Sequence, residues 1–113
     1  MTDEEVSARA HEMFDAIANR YVERPGVDVG VMFGSEGLRV RGKVFAFVSH
    51  VGALVVKIPE ARVTELAEQG AAERMVMRDR PMREWATLDV HAGAERWDDL
   101  IAEAFEYLDE ITP

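Results

Sequence analysis

The sequence predicts an α+β domain of two layers, an antiparallel sheet of about five strands packed against two long helices and one short helix. Three observations predict it. Apolar residues recur at helical spacing near both chain ends. Between them, from Val29 to Ile58, strand-like runs follow one another through short connections, which suit only antiparallel neighbours. Helices thus flank a block of strands rather than alternating with them, and that order stacks them on a sheet.

The first helix runs from Thr2 to about Arg24. Thr2 is its cap and Glu5 stands three residues on, a capping box. Val6, Ala10, Met13, Phe14, Ile17 and Tyr21 form its apolar face, and Pro25-Gly26 stops it. Val27 to Phe33 alternates valines and Phe33 against Asp28, Gly30 and Met32, a strand with one apolar face. Gly34-Ser35-Glu36-Gly37 reads as a turn into a second strand, Leu38 to Val40. Arg41-Gly42 is a two-residue hairpin connection. Lys43 to Ser49 is the third strand; its Val44-Phe45-Ala46-Phe47-Val48 core is apolar on both faces, as in the middle of a sheet. His50-Val51-Gly52 leads into a fourth strand, Ala53 to Lys57.

Pro59 starts a short helix, with Val63, Leu66 and Ala67 inward and Gly70 as its stop. Met75-Val76-Met77 is a candidate short strand, and Glu84 to Val90 a further one, with Arg78, Arg80 and Arg83 in the loop before Trp85. The last helix spans Gly93 to about Ile111. Trp97, Ile101, Ala104, Leu108 and Ile111 form its stripe, and Leu100, Phe105 and Tyr107 widen it beyond one packed face.

The chain has 113 residues, and residues 1–113 read as one domain without linker or repeat. It has no cysteine, which excludes disulfides, thiolate metal sites and cysteine nucleophiles and fits a reducing compartment. The acidic start, Thr2-Asp3-Glu4-Glu5, is unlike a signal peptide, and no apolar run approaches membrane-helix length, so a cytoplasmic location without a membrane partner is expected. The formal net charge is −9, concentrated in the helices; residues 28–57 hold four bases against two acids. A negative molecule repels phosphate backbones, which argues against direct nucleic-acid binding.

Catalytic chemistry finds little support. His11, His50 and His91 fall on a helix, a turn and a strand end without metal-ligand spacing, so no metal is expected. Ser35 lacks the spacing of a nucleophile elbow. The pairs Asp98-Asp99 and Asp109-Glu110 read as solvated helix faces. No phosphate-binding glycine motif is present, and no cofactor or catalytic residue is expected. The candidate site is instead a basic, aromatic interaction surface: Arg39 and Arg41, alternating with Leu38 and Val40, together with Lys57, Arg80, Arg83 and Trp85. Arginine and tryptophan are enriched at interface hot spots. The competing reading pairs these arginines with the acidic helices and buries Trp85.

Met32-Phe33-Gly34-Ser35-Glu36-Gly37-Leu38, Arg41-Gly42-Lys43-Val44-Phe45-Ala46, Leu54-Val55-Val56-Lys57 and Arg80-Pro81-Met82-Arg83-Glu84-Trp85, in that order, resemble the TfoX/Sxy N-terminal domain family. The resemblance covers roughly residues 6–110. It implies a two-layer fold related to YjbR-like proteins and secretion chaperones, and a regulatory role. It supplies no catalytic residues. Arg41-Gly42 departs from the Asp-Gly usual in that family. The expected function is a non-enzymatic regulatory or protein-interaction module, with a protein partner and a homodimer as candidates. The alternatives are a small-ligand sensor or enzyme with a pocket between sheet and helices, and a transcription-associated DNA-binding regulator.

Overall fold

In the computed structural model, which describes residues 2–32 and 35–113, Thr2 caps helix α1 (Asp3–Tyr21). Its hydroxyl oxygen accepts from the Glu5 amide at 3.2 Å and donates to the Glu5 carboxylate at the same distance. Strands β1 (Val27–Met32), β2 (Ser35–Val40), β3 (Lys43–Val48) and β4 (Leu54–Lys57) form the expected meander. Helix α2 (Glu60–Glu68) follows, then β5 (Glu73–Met77), β6 (Arg80–Leu88), a 3-10 turn (Val90–Ala92) and α3 (Ala94–Ile111). The sheet has six strands in the order β1-β2-β3-β4-β6-β5, all neighbours antiparallel.

Two stretches differ from expectation. Ser35, Glu36 and Gly37 belong to β2, pairing with Met32, Val31 and Gly30, because ladder bonds to β1 outweigh their turn preference. Phe33 and Gly34, which the sequence reading placed in the first strand and the following turn, lie outside the described residues. In the second stretch, Arg80 to Arg83 are not loop but the first half of β6, and β5 begins at Glu73. Arg78 and Asp79 make the β5–β6 connection with φ of 51° and 63°. That is the two-positive-φ turn whose twist suits a tight hairpin, built here without glycine. Arg41 and Gly42 do the same between β2 and β3, with φ of 47° and 85°.

Pro59 is the cap residue of α2 rather than its first helical residue. Its C-terminus closes through Gly70 at φ 71°: the Ala71 amide donates to the Leu66 carbonyl at 2.9 Å and the Gly70 amide to Ala67 at 3.2 Å. This double bond pattern needs a left-handed residue, which glycine supplies without a Cβ clash.

The helices pack on one face of the sheet. Leu38 and Val40 of β2, Ala46 and Val48 of β3, Leu54 and Val56 of β4, and Ala86 and Leu88 of β6 share one cluster with Phe14, Leu66, Trp97 and Ile101. A β-bulge sharpens the fit. Leu38 pairs with Ala46 but Arg39 with Val44, leaving Phe45 as the extra residue. Phe45 and Ala46 therefore both face the helices. Phe45 meets Tyr21 and Phe105 with ring centroids 6.1 and 5.6 Å away. The wide stripe on α3 is used inside the chain: Leu100 is buried, Phe105 fills this aromatic trio and Tyr107 reaches Glu84. Phe105 and Tyr107 are partly buried, and Ile111, at the helix end, is half-exposed. Trp97 is fully buried, and its ring N–H donates to the Asp89 carbonyl at 2.9 Å. Ion pairs tie the layer together: Arg62 of α2 grips both Glu103 oxygens at 2.8 and 3.1 Å, and Arg20 of α1 meets Asp98 at 2.9 Å.

Candidate functional site

The opposite face of the sheet carries no helix. The strand pairing sets Phe47, Val55 and Thr87 in one row across β3, β4 and β6, and Lys57 beside Trp85 in the next. Phe47 and Val55 are buried, yet both lie outside the core cluster. Trp85 is partly exposed and edge-on to Phe47, centroids 5.8 Å apart.

The six residues expected to form one surface divide into three groups. Lys57 and Trp85 adjoin each other. The ammonium sits 5.6 Å from the Trp85 ring centroid, within cation–π range, and 3.9 Å from a Glu84 oxygen. The Lys57 side chain is 28% exposed, a partly buried cation of the kind that keeps its charged head toward water. Glu84 also accepts a hydrogen bond from the Tyr107 hydroxyl. That bond, assisted by burial, holds the phenol's pKa up, at about 12, because ionising the phenol would face one anion with another.

Arg80 and Arg83, the second group, are exposed on β6 and with Pro81 and Met82 line an open crevice of about 550 Å³ that ends at Trp85. Among the described residues neither guanidinium makes an ion pair.

Arg39 and Arg41, the third group, are committed elsewhere. Arg39 does lie on the helix-free face, over Gly30, where an added Cβ would sit 2.4 Å from its Nε. It donates to both oxygens of Asp28, its direct cross-strand partner, at 2.9 and 2.6 Å. That fork lowers the Asp28 carboxyl below its ordinary 3.8, the hydrogen bond being the main cause. Arg41 is not on that face. It sits in the β2–β3 turn and points to the end of α3. It donates to the Asp109 carboxylate at 2.8 Å and to the carbonyls of Asp109, Thr112 and Pro113 at 2.8, 2.7 and 3.2 Å. A cation at a helix C-terminus satisfies the orphan carbonyls and the negative end of the dipole.

The Arg39–Asp28 pair was not legible, because a turn read at Gly34 to Gly37 does not set residue 28 opposite 39; the observed β1–β2 register does. Two other hollows were not legible either. A cleft of about 630 Å³ at the end of the sheet is lined by Thr87, Asp89, His91 and Arg96 with Val51 and Ala72. A smaller one, of about 370 Å³, brings His11 and Asp15 of α1 near His50 and Glu36. Among the described residues no cluster of three or more histidines and carboxylates is arranged to hold a metal ion, and no helix is long and apolar enough to cross a membrane.

The helix-free face thus carries Trp85 and its neighbour Lys57, and the same strand β6 carries the exposed Arg80 and Arg83. No protein-family model matches the chain, and no curated protein or solved structure does so.

Proposed function

We propose that the chain is a non-enzymatic regulatory or protein-interaction module of the TfoX N-terminal domain type, which docks a protein partner on the helix-free face around Trp85. The observation that carries this reading is Trp85 itself, partly exposed, braced edge-on by Phe47 and flanked by Lys57. A rigid aromatic makes a hot spot at little entropic cost. The unpaired Arg80 and Arg83 on the same strand favour a partner segment with acidic residues around an apolar side chain.

The test is quantitative affinity purification from the native cells with the wild-type chain, Trp85→Ala and Arg80→Glu/Arg83→Glu. A partner that binds the wild type and is lost from both variants, while their thermal melts stay close to wild type, supports the reading. Equal recovery by all three refutes it.

A second reading rests on the 630 Å³ cleft, where His91 and Arg96 stand with Asp89 at a partly apolar hollow. A concave site with a few convergent polar groups is the usual form of a small-ligand site. A metabolite that raises the melting temperature of the wild type but not of Arg96→Ala would favour a ligand sensor.

A further inference from the structure

The geometry of β1 points to a second copy of this chain as its partner: we propose that two molecules pair β1 to β1 antiparallel about Gly30, joining their sheets into one. The interface lies on the sheet edge rather than on the Trp85 face, so it stands or falls independently of the docking reading.

The pairing of β1 with β2 decides which backbone groups are spent. The Arg41 amide donates to the Gly26 carbonyl at 2.7 Å, and Asp28↔Arg39, Gly30↔Gly37 and Met32↔Ser35 continue that register. In an antiparallel ladder, bonded pairs alternate with non-bonded ones. Residues 26, 28, 30 and 32 therefore turn their N–H and C=O groups to β2. Val27, Val29 and Val31 turn theirs to the open edge. The Val27 amide is taken by the Arg24 carbonyl at 3.2 Å. Among the described residues nothing bonds the outward groups of Val29 and Val31. These are also the residues whose side chains are exposed, at 42% and 78%.

Both features fit a two-fold axis at Gly30. That register sets Val29 opposite Val31 of the partner subunit and the reverse, so outward groups meet outward groups as bonded pairs. Four exposed valines come together on one face, and Gly30 brings no side chain to the axis. An isologous contact of this kind closes on itself.

Charge selects the same edge. The molecule carries −9, so two copies repel over most of their surface. The one charge on β1, Asp28, is already gripped by Arg39. The other edge strand is blunted by means common on sheet edges: β5 carries Glu73 and Arg74, its pairing with β6 shifts between Arg74 and Val76, and it faces Pro81. β1 has no proline, lysine or arginine. A ladder this short, with four valines, belongs to the small transient class of interfaces, so the dimer forms at high concentration.

Sedimentation equilibrium tests this, together with concentration-dependent amide exchange. The wild type should pass from 12.7 kDa to twice that mass as concentration rises through hundreds of micromolar. The Val29 and Val31 amides should slow in step. Val31→Pro removes only an outward N–H, which the monomer does not use, and should hold the mass at 12.7 kDa. If circular dichroism shows that variant unfolded, Val31→Lys replaces it with the same expectation. Trp85→Ala should still dimerise. A wild type that remains at 12.7 kDa, a dimer that survives the folded position-31 variant, or one lost in a folded Trp85→Ala chain would overturn the proposal.

Discussion

Replacing Phe45 with alanine tests the sheet–helix interface at its most demanding point. The side chain is fully buried, projected by the bulge between Tyr21 and Phe105. A buried aromatic removes roughly 150–250 Å² from water. At about 25 cal/mol per Å² that is about 4–6 kcal/mol, of which alanine keeps the part due to its methyl. Losing two ring contacts adds about 0.5–1.5 kcal/mol each, and partial collapse of Tyr21 and Phe105 into the void returns some of it. The expected loss is about 4 kcal/mol, inside the range of about 3–5 kcal/mol for burying and then deleting a phenylalanine. With an m-value of about 2 kcal/mol/M, the urea midpoint should fall by about 2 M. The assay is urea unfolding followed by far-ultraviolet circular dichroism and by tryptophan fluorescence, with Phe45→Leu as the milder control. A loss below about 1 kcal/mol, or Phe45→Leu as damaging as Phe45→Ala, would mean the cavity argument is wrong for this site.

Arg41→Ala should cost about 1 kcal/mol, since the four acceptors it serves are partly solvated, and should fray the last turn of α3 in amide exchange; an unchanged stability and an unfrayed turn would remove its capping role. The Asp28 carboxyl, lowered by Arg39, should titrate below its ordinary value by NMR and return to it in Arg39→Met. Because its folded pKa is depressed, the stability it adds is present above the unfolded value and lost as pH falls through the folded one, so Asp28→Asn should flatten that acid limb. Tyr107 should ionise near pH 12 by ultraviolet absorbance, and Glu84→Gln should bring the midpoint down. Its raised pKa gives the opposite sign: that stability is complete below the ordinary tyrosine value and is lost as pH climbs to about 12. A midpoint unmoved by Glu84→Gln would show that burial alone sets it.

Much of the fold was legible because it is written in local periodicity. The stripes of α1 and α3, the cap at Thr2 and the meander from β1 to β4 all follow from residues near one another in sequence. The first half of β6 did not follow. Pro81 argues against a strand interior, and a hairpin turn made of Arg78 and Asp79 carries no glycine to announce it. Ser35 to Gly37 prefer turns, and only the facing strand makes them extended. The candidate site was half legible for the same reason. Lys57 and Trp85 meet because antiparallel neighbours set them opposite each other, whereas Arg41 is claimed by Asp109, Thr112 and Pro113, which no local pattern couples to it. The bulge at Phe45 was also invisible, since an apolar run on both faces looks alike with or without it.

The grip of Arg41 on the end of α3 has a kinetic consequence. It joins a turn formed early in a local hairpin to a helix end made roughly seventy residues later. The last turn of α3 therefore gains its side-chain cap only once the β2–β3 turn is in place. Once made, neither opens far without releasing the other. Amide protons in the β2–β3 turn and in the final turn of α3 should then exchange as one cooperative unit, although by sequence they lie in different halves of the molecule.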